Sequence, residues 1–137
     1  MISKILCATD GTPHSRDAVE IAARLAAKFS AKLTICAVNV AYGGPRAALI
    51  YSWDDAEVTR ILDEAAKLAK SLGAADAEEV ALRSREAAAG IVQYAEDNGF
   101  DHIVVGTGDK RGMSRLMLGS VASDVASRAH CAVTVAR

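Results

Sequence analysis

Short apolar runs alternate along this chain with longer stretches whose apolar residues recur at helical spacing. Ile2 to Thr9 is nearly continuous apolar sequence, the pattern of a strand buried on both faces. Asp10-Gly11-Thr12-Pro13 breaks it, with Thr12 suited to cap a helix and Pro13 to occupy its first position. The helix that follows places Ala18, Ile21, Ala22, Leu25, Ala26 and Phe29 on one face. Lys32 to Val40 is a second strand, and Ala41 to Trp53, containing Gly43-Gly44-Pro45, reads as a long loop. A second helix, about Asp54 to Leu72, shows Val58, Ile61, Leu62, Ala65, Leu68, Ala69 and Leu72 on one face, and Gly73 stops it.

Glu78 to Arg83 alternates apolar and polar positions, as an edge strand does. A third helix, about Glu86 to Asn98, ends at Gly99. Asp101 to Thr107 is a fourth strand with an apolar centre. A glycine-containing loop leads to a helix from Gly119 to about Ala129, and Cys131 to Ala136 is a fifth strand. Strands joined by helices run parallel with right-handed crossovers, so the pattern predicts an open α/β sheet with helices on both faces. No repeat or composition break divides residues 1–137, which read as one domain.

Composition narrows the function classes. Apolar residues make up 51% of the 137, yet aromatics only 4%, so the core is built from Ala, Val, Leu and Ile. A net charge of -1 argues against general nucleic-acid binding, and no apolar run reaches the ~20 residues that span a bilayer. The start, Met1-Ile2-Ser3-Lys4, lacks the pattern of a secretory signal, which points to the cytoplasm. Cys7, Cys36 and Cys131 lie far apart in strand-like segments and read as reduced, buried thiols.

In an open parallel sheet, ligands bind beyond the C-terminal strand ends where the winding reverses. The first and fourth strands are the most apolar and form the expected central pair. Their ends carry Thr9-Asp10-Gly11 and Gly106-Thr107-Gly108. Asp10 there either accepts from a ligand's hydroxyls or closes a turn into the next helix. The stretch Gly106 to Ser120 ends at a helix start, where free N–H groups suit an anion, with Ser120 as a further donor or as a cap. A nucleotide held this way has its adenine near Asn39 and Val40. Lys110, Arg111 and Arg115 either contact phosphate or are simply solvated. Tyr51 and Trp53 either cover the crevice or pack on the second helix. His14, His102 and His130 lack metal-ligand spacing, with His14 expected at the surface. Ser15 and Ser114 lack a paired base, so nothing indicates a catalytic residue.

Three segments carry a family resemblance: Ala8-Thr9-Asp10-Gly11-Thr12, Asp101 to Thr107, and Gly112-Met113-Ser114-Arg115-Leu116-Met117-Leu118-Gly119-Ser120-Val121-Ala122. With the closing Cys131 to Val135, they make the chain resemble a universal stress protein over essentially its whole length. The resemblance implies a Rossmann-like, adenine nucleotide alpha hydrolase-like sheet in strand order 3-2-1-4-5. It also implies a homodimer, for which the uncharged last strand, Cys131 to Ala136, is the candidate interface. Site residues carried over are Thr9, Asp10, Gly11, Val40, Gly106, Thr107, Gly108, Asp109, Gly112, Gly119, Ser120 and Val121, with ATP as ligand, accompanied by Mg²⁺ where Asp109 helps hold a cation that bridges its phosphates.

The family's ATP binders resemble one another in a Gly-x2-Gly-x9-Gly-Ser/Thr loop. Gly106 and Gly119-Ser120 match it, but Asp109 stands at the second glycine position, one residue after Gly108. A carboxylate about 5 Å from a phosphate charge costs roughly 3 kcal/mol at an effective dielectric of ~20. Three readings follow. The first is a regulatory binder of ATP or a related adenine nucleotide, with at most slow hydrolysis. The second is a dimeric interaction module that binds no nucleotide. The third is an ATP-splitting or adenylating enzyme, which the residues support least.

Overall fold

The computed structural model describes residues 1–107 and 119–137. The strands are β1 (Lys4–Ala8), β2 (Lys32–Tyr42), β3 (Ile50–Tyr51), β4 (Glu78–Ser84), β5 (His102–Gly106) and β6 (Ala132–Ala136). Between them run α1 (Pro13–Phe29), α2 (Asp55–Ser71), α3 (Ala87–Asp97) and α4 (Ser120–Arg128).

Five strands form the expected parallel sheet. β4 pairs with β2, β2 with β1, β1 with β5 and β5 with β6, so the predicted order matches among the parallel strands, while β3 adds a sixth strand beside β2. Register pairs Ile5 with Leu33 on one side of β1 and with His102 on the other. The half-polar β4 and the short β6 are the parallel sheet's two edges, as their patterns suggest.

The expected loop from Ala41 to Trp53 is corrected. β2 runs on to Tyr42 and turns back through Gly43 and Gly44, both at positive φ, into β3, which pairs antiparallel with it. A Cβ on Gly43 would lie 2.5 Å from the Ala48 carbonyl oxygen, so this tight return requires glycine. Contacts from distant sequence hold β3. The Arg83 guanidinium lies 4.6 Å from the Tyr51 ring centroid, and Arg85 donates to the Gly43 carbonyl at 2.8 Å.

Alternation along the strands divides the core into two layers. Ile5, Cys7, Ile35 and Val104 pack under α1 and α2, whereas Leu6, Cys36, Val38, Ile103 and Val105 pack under α3 and α4. The α2 face is largely as predicted. On α1 the buried stripe also takes in Val19 and Ala23, while Phe29, expected inside, is 44% exposed at the helix end. Small alanines let α1 approach both the sheet and α2, which widens its buried face beyond a single row.

Helix ends follow the local chemistry. Thr12 caps α1 by accepting from the Ser15 amide, and Asp54 caps α2 by accepting from Glu57. Gly73 and Gly99 lie just past α2 and α3 with φ of +106° and +68°.

Candidate functional site

The strand order places the ends of β1 and β5 side by side, and a cavity of about 420 Å³ opens above them. Seven of the expected site residues share its wall: Thr9, Asp10, Gly106, Thr107, Gly119, Ser120 and Val121. The starts of α1, α3 and α4 all border it, contributing Thr12, Ala87 and Ser120. Parallel strands with helical crossovers bring helix N-termini to one end of the sheet, where they favour negative charge.

The turn after β1 is built on hydroxyl groups. Buried Ser15 places Oγ 3.0 Å from Thr9 Oγ1, accepts from the Asp10 amide at 3.3 Å and donates to the Thr12 carbonyl at 2.9 Å. Thr12 donates to Asp10 Oδ1 from its amide at 3.0 Å and from its hydroxyl at 2.6 Å. Asp10 therefore does close a turn, with one carboxylate oxygen. Gly11 holds a φ of +82° and faces Ile61, away from the cavity wall.

Gly106 has a packing reason of its own. A Cβ there would lie 2.5 Å from the His14 carbonyl oxygen, so glycine lets α1 begin directly against β5. His14 is half-buried rather than at the surface. Thr107 continues the sheet by donating its amide to Ala136 at 3.1 Å.

Ser120 is the first residue of α4, and Gly119 is its cap, which corrects the expectation that Ser120 itself caps. The first helical bond runs from the Ser123 amide to the Gly119 carbonyl, leaving the Ser120, Val121 and Ala122 amides without a partner inside the helix. At its other end, α4 is tied to the cap of α3 by Arg128 and Glu86, 2.6 Å apart. Gly108, Asp109 and Gly112, with Lys110, Arg111, Ser114 and Arg115, lie outside the described residues.

Val40 and Asn39 stand differently from their expected places. Val38, two residues earlier on the same strand face, forms the wall, while the Val40 carbonyl accepts from the Ser52 amide at 3.0 Å. The Asn39 side chain donates to the Trp53 carbonyl at 2.8 Å and accepts from the Trp53 amide at 3.0 Å. Trp53 borders the cavity and also packs on the core beneath α1 and α2. Val38, Ile91 and Val105 give the wall an apolar section that the motif reading missed. Strand period was the available signal for Val38. Nothing local marked Ile91.

Among the described residues, no three His, Cys, Asp or Glu side chains cluster as metal ligands. His102 is buried in β5 with Nε2 2.7 Å from Thr134 Oγ1, and exposed His130 lies 3.3 Å from Glu96. Burial pushes the Cys36 thiol up to about 12 and the Cys7 thiol higher still. Cys131, expected inside, is half-buried. Among the described residues, no helix is long and apolar enough to cross a membrane.

The chain matches the model of the universal stress protein family over residues 1–137 and belongs to that family. It is 32% identical to universal stress protein MJ0531 of Methanocaldococcus jannaschii, an alignment covering all of this chain and 83% of that protein. Among solved structures, a universal stress protein in complex with cAMP is 28% identical, with a TM-score of 0.78 over 98% of this chain and 97% of that one. The universal stress protein from Archaeoglobus fulgidus in complex with dAMP shares the fold at 23% identity, with a TM-score of 0.75 over 100% and 98% of the two chains.

Proposed function

We propose that this chain binds an adenine nucleotide, ATP or a relative of it, as a regulatory ligand in the cytoplasm. The observation that carries the reading is the convergence of Asp10, Gly106, Gly119 and Ser120 on one cavity at the switch point of the sheet. The amides at the start of α4, which make no bond within the helix, suit phosphate oxygens, and Asp10 suits ribose hydroxyls. The relative bound to cAMP supports the same ligand class. Asp10 is the one carboxylate on the described wall and serves the ribose, so Mg²⁺ accompanying a triphosphate would be held chiefly by the phosphates. No residue of the described wall is placed as a general base, which supports a reading of binding with at most slow hydrolysis.

Homodimerisation is the second part of the proposal. β6 pairs only with β5 among the described strands, and its outer edge carries no charged side chain between Ala132 and Ala136. An antiparallel pairing with its own copy would close that edge. Sedimentation as a monomer at micromolar concentration would defeat this part.

Nucleotide analysis of denatured, freshly purified protein tests the first part, together with titration of a fluorescent ATP analogue in Mg²⁺. Co-purified nucleotide or saturable binding supports it, and absence of both sinks it. One observation favours the second reading, an interaction module without nucleotide: Asp10 already spends one carboxylate oxygen on Thr12. A partner retained equally with and without ATP would support that reading.

A further inference from the structure

Trp53 links β3 to α2, a junction with no regular secondary structure of its own. It is nevertheless fixed from several directions. Its amide and carbonyl are both bonded to the Asn39 side chain, Ser52 before it donates to the Val40 carbonyl, and Asp54 after it caps α2. Asn39 is only 3% exposed, and both polar ends of its amide are spent on this one backbone unit. Burying a side-chain amide is unfavourable unless its bonds are made, so the strand gains from Asn39 only through where it holds Trp53.

The same residue stands on the cavity wall. The polar groups of that wall come from the turn after β1 and the start of α4, whereas Val38, Ile91 and Val105 supply apolar surface from the α3/α4 layer and Trp53 borders the cavity from the α1/α2 side. An apolar section with an aromatic member fits a flat heteroaromatic ring and offers nothing to a phosphate. We infer that Trp53 is the wall against which the base of the ligand rests, and that Asn39 is the positioning residue holding Trp53 there. The inference deepens the adenine-nucleotide reading and rests on it. It makes the purine ring, rather than the phosphate count, the part of the ligand on which this half of the cavity discriminates.

Trp53 is the only tryptophan in the chain, so its emission reports this wall alone. Adding AMP to the wild-type protein changes that emission, whereas ribose 5-phosphate, which lacks the base, leaves it unchanged. By calorimetry, Trp53→Ala weakens AMP binding roughly tenfold, as loss of a base–aromatic stack does, and Trp53→Phe restores most of it. Asn39→Ala shifts the emission of the free protein to the red and weakens AMP with no matching loss for ribose 5-phosphate. AMP that binds without altering the emission, and that binds Trp53→Ala as it binds wild type, overturns the inference and leaves the nucleotide site standing. Wild-type protein that binds neither AMP nor ATP overturns the nucleotide reading together with this one.

Discussion

Gly106 and His14 approach so closely that a single added carbon on the glycine would lie 2.5 Å from the histidine's carbonyl oxygen. The first glycine of the loop motif is thus tied to the docking of α1 on β5. Gly106→Ala therefore loses roughly 1–3 kcal/mol of stability, as overpacking does, whether or not a ligand is present. Urea denaturation of the nucleotide-free protein checks this. An unchanged midpoint would mean that α1 yields at no cost.

Gly119 behaves differently. Its φ of -65° and ψ of 158° are open to any residue, so Gly119→Val brings no backbone strain, although valine caps a helix less well than glycine. What the added side chain obstructs is approach to the α4 amides. The expected result is a modestly lowered melting temperature with nucleotide binding abolished, measured by titration of a fluorescent ATP analogue. Wild-type affinity in this variant would count against the start of α4 as the phosphate site.

Ser15 was legible from sequence only as a serine without a catalytic base. Its hydroxyl joins Thr9, Asp10 and Thr12, so Ser15→Ala leaves buried polar groups short of a partner. A loss of about 1–3 kcal/mol is expected in chemical denaturation. Ser15→Thr, which keeps the hydroxyl, should lose less than Ser15→Ala.

Ser30 ends α1 with φ of 54°, a left-handed conformation that a side chain disfavours. Ser30→Gly should stabilise the protein by about 0.5–1 kcal/mol, because relief of that strain exceeds glycine's added unfolded-state entropy. A raised melting temperature checks it, and a lowered one refutes it.

Acid should weaken the fold in two steps. Burial holds the His102 imidazole below its ordinary value, although Asp101 opposes this. A base with a depressed folded pKa contributes full stability above its unfolded value, near ~6.5, and loses it as pH falls from there. For Asp101, burial pushes the carboxyl up, but hydrogen bonds from Ser3 Oγ and from the Lys4 and Ser3 amides outweigh it and leave the group below its usual range. That contribution persists above the unfolded value of about 4 and is lost as pH falls through the lower folded value. Melting temperature against pH measures both. His102→Gln should flatten the upper step and Asp101→Asn the lower one.

The parts of the fold readable in sequence are those set by near neighbours. Thr12-Pro13 starts α1, Asp54 caps α2, and Gly73 and Gly99 close helices by their own backbone freedom. Alternation placed β4 at the edge, near-continuous apolar runs placed β1 and β5 together, and that pairing located the cavity. The β2–β3 return was not readable, because β3 has two residues and is held by Arg83, more than thirty positions away. Phe29 misled because helical spacing does not say where the sheet beneath ends. At the site, glycine and aspartate marked the polar wall, while the apolar residues that line it, Val38, Trp53 and Ile91, come from β2, the β3–α2 junction and α3.

The placement of β1 bears on how the chain comes to be folded at all. Its two neighbours are β2, which follows soon after it, and β5, whose pairing begins at His102. A chain emerging from the ribosome thus carries an open central strand until β5 has been made. Asp101, bonded to Ser3 and Lys4, then ties the start of β5 back to the start of β1. Closure of the sheet is accordingly a late step of synthesis, and chains halted before β5 should be the ones that proteases and chaperones find first. Pulse-proteolysis of released chains truncated before β5 and of the full chain would show protection only in the latter.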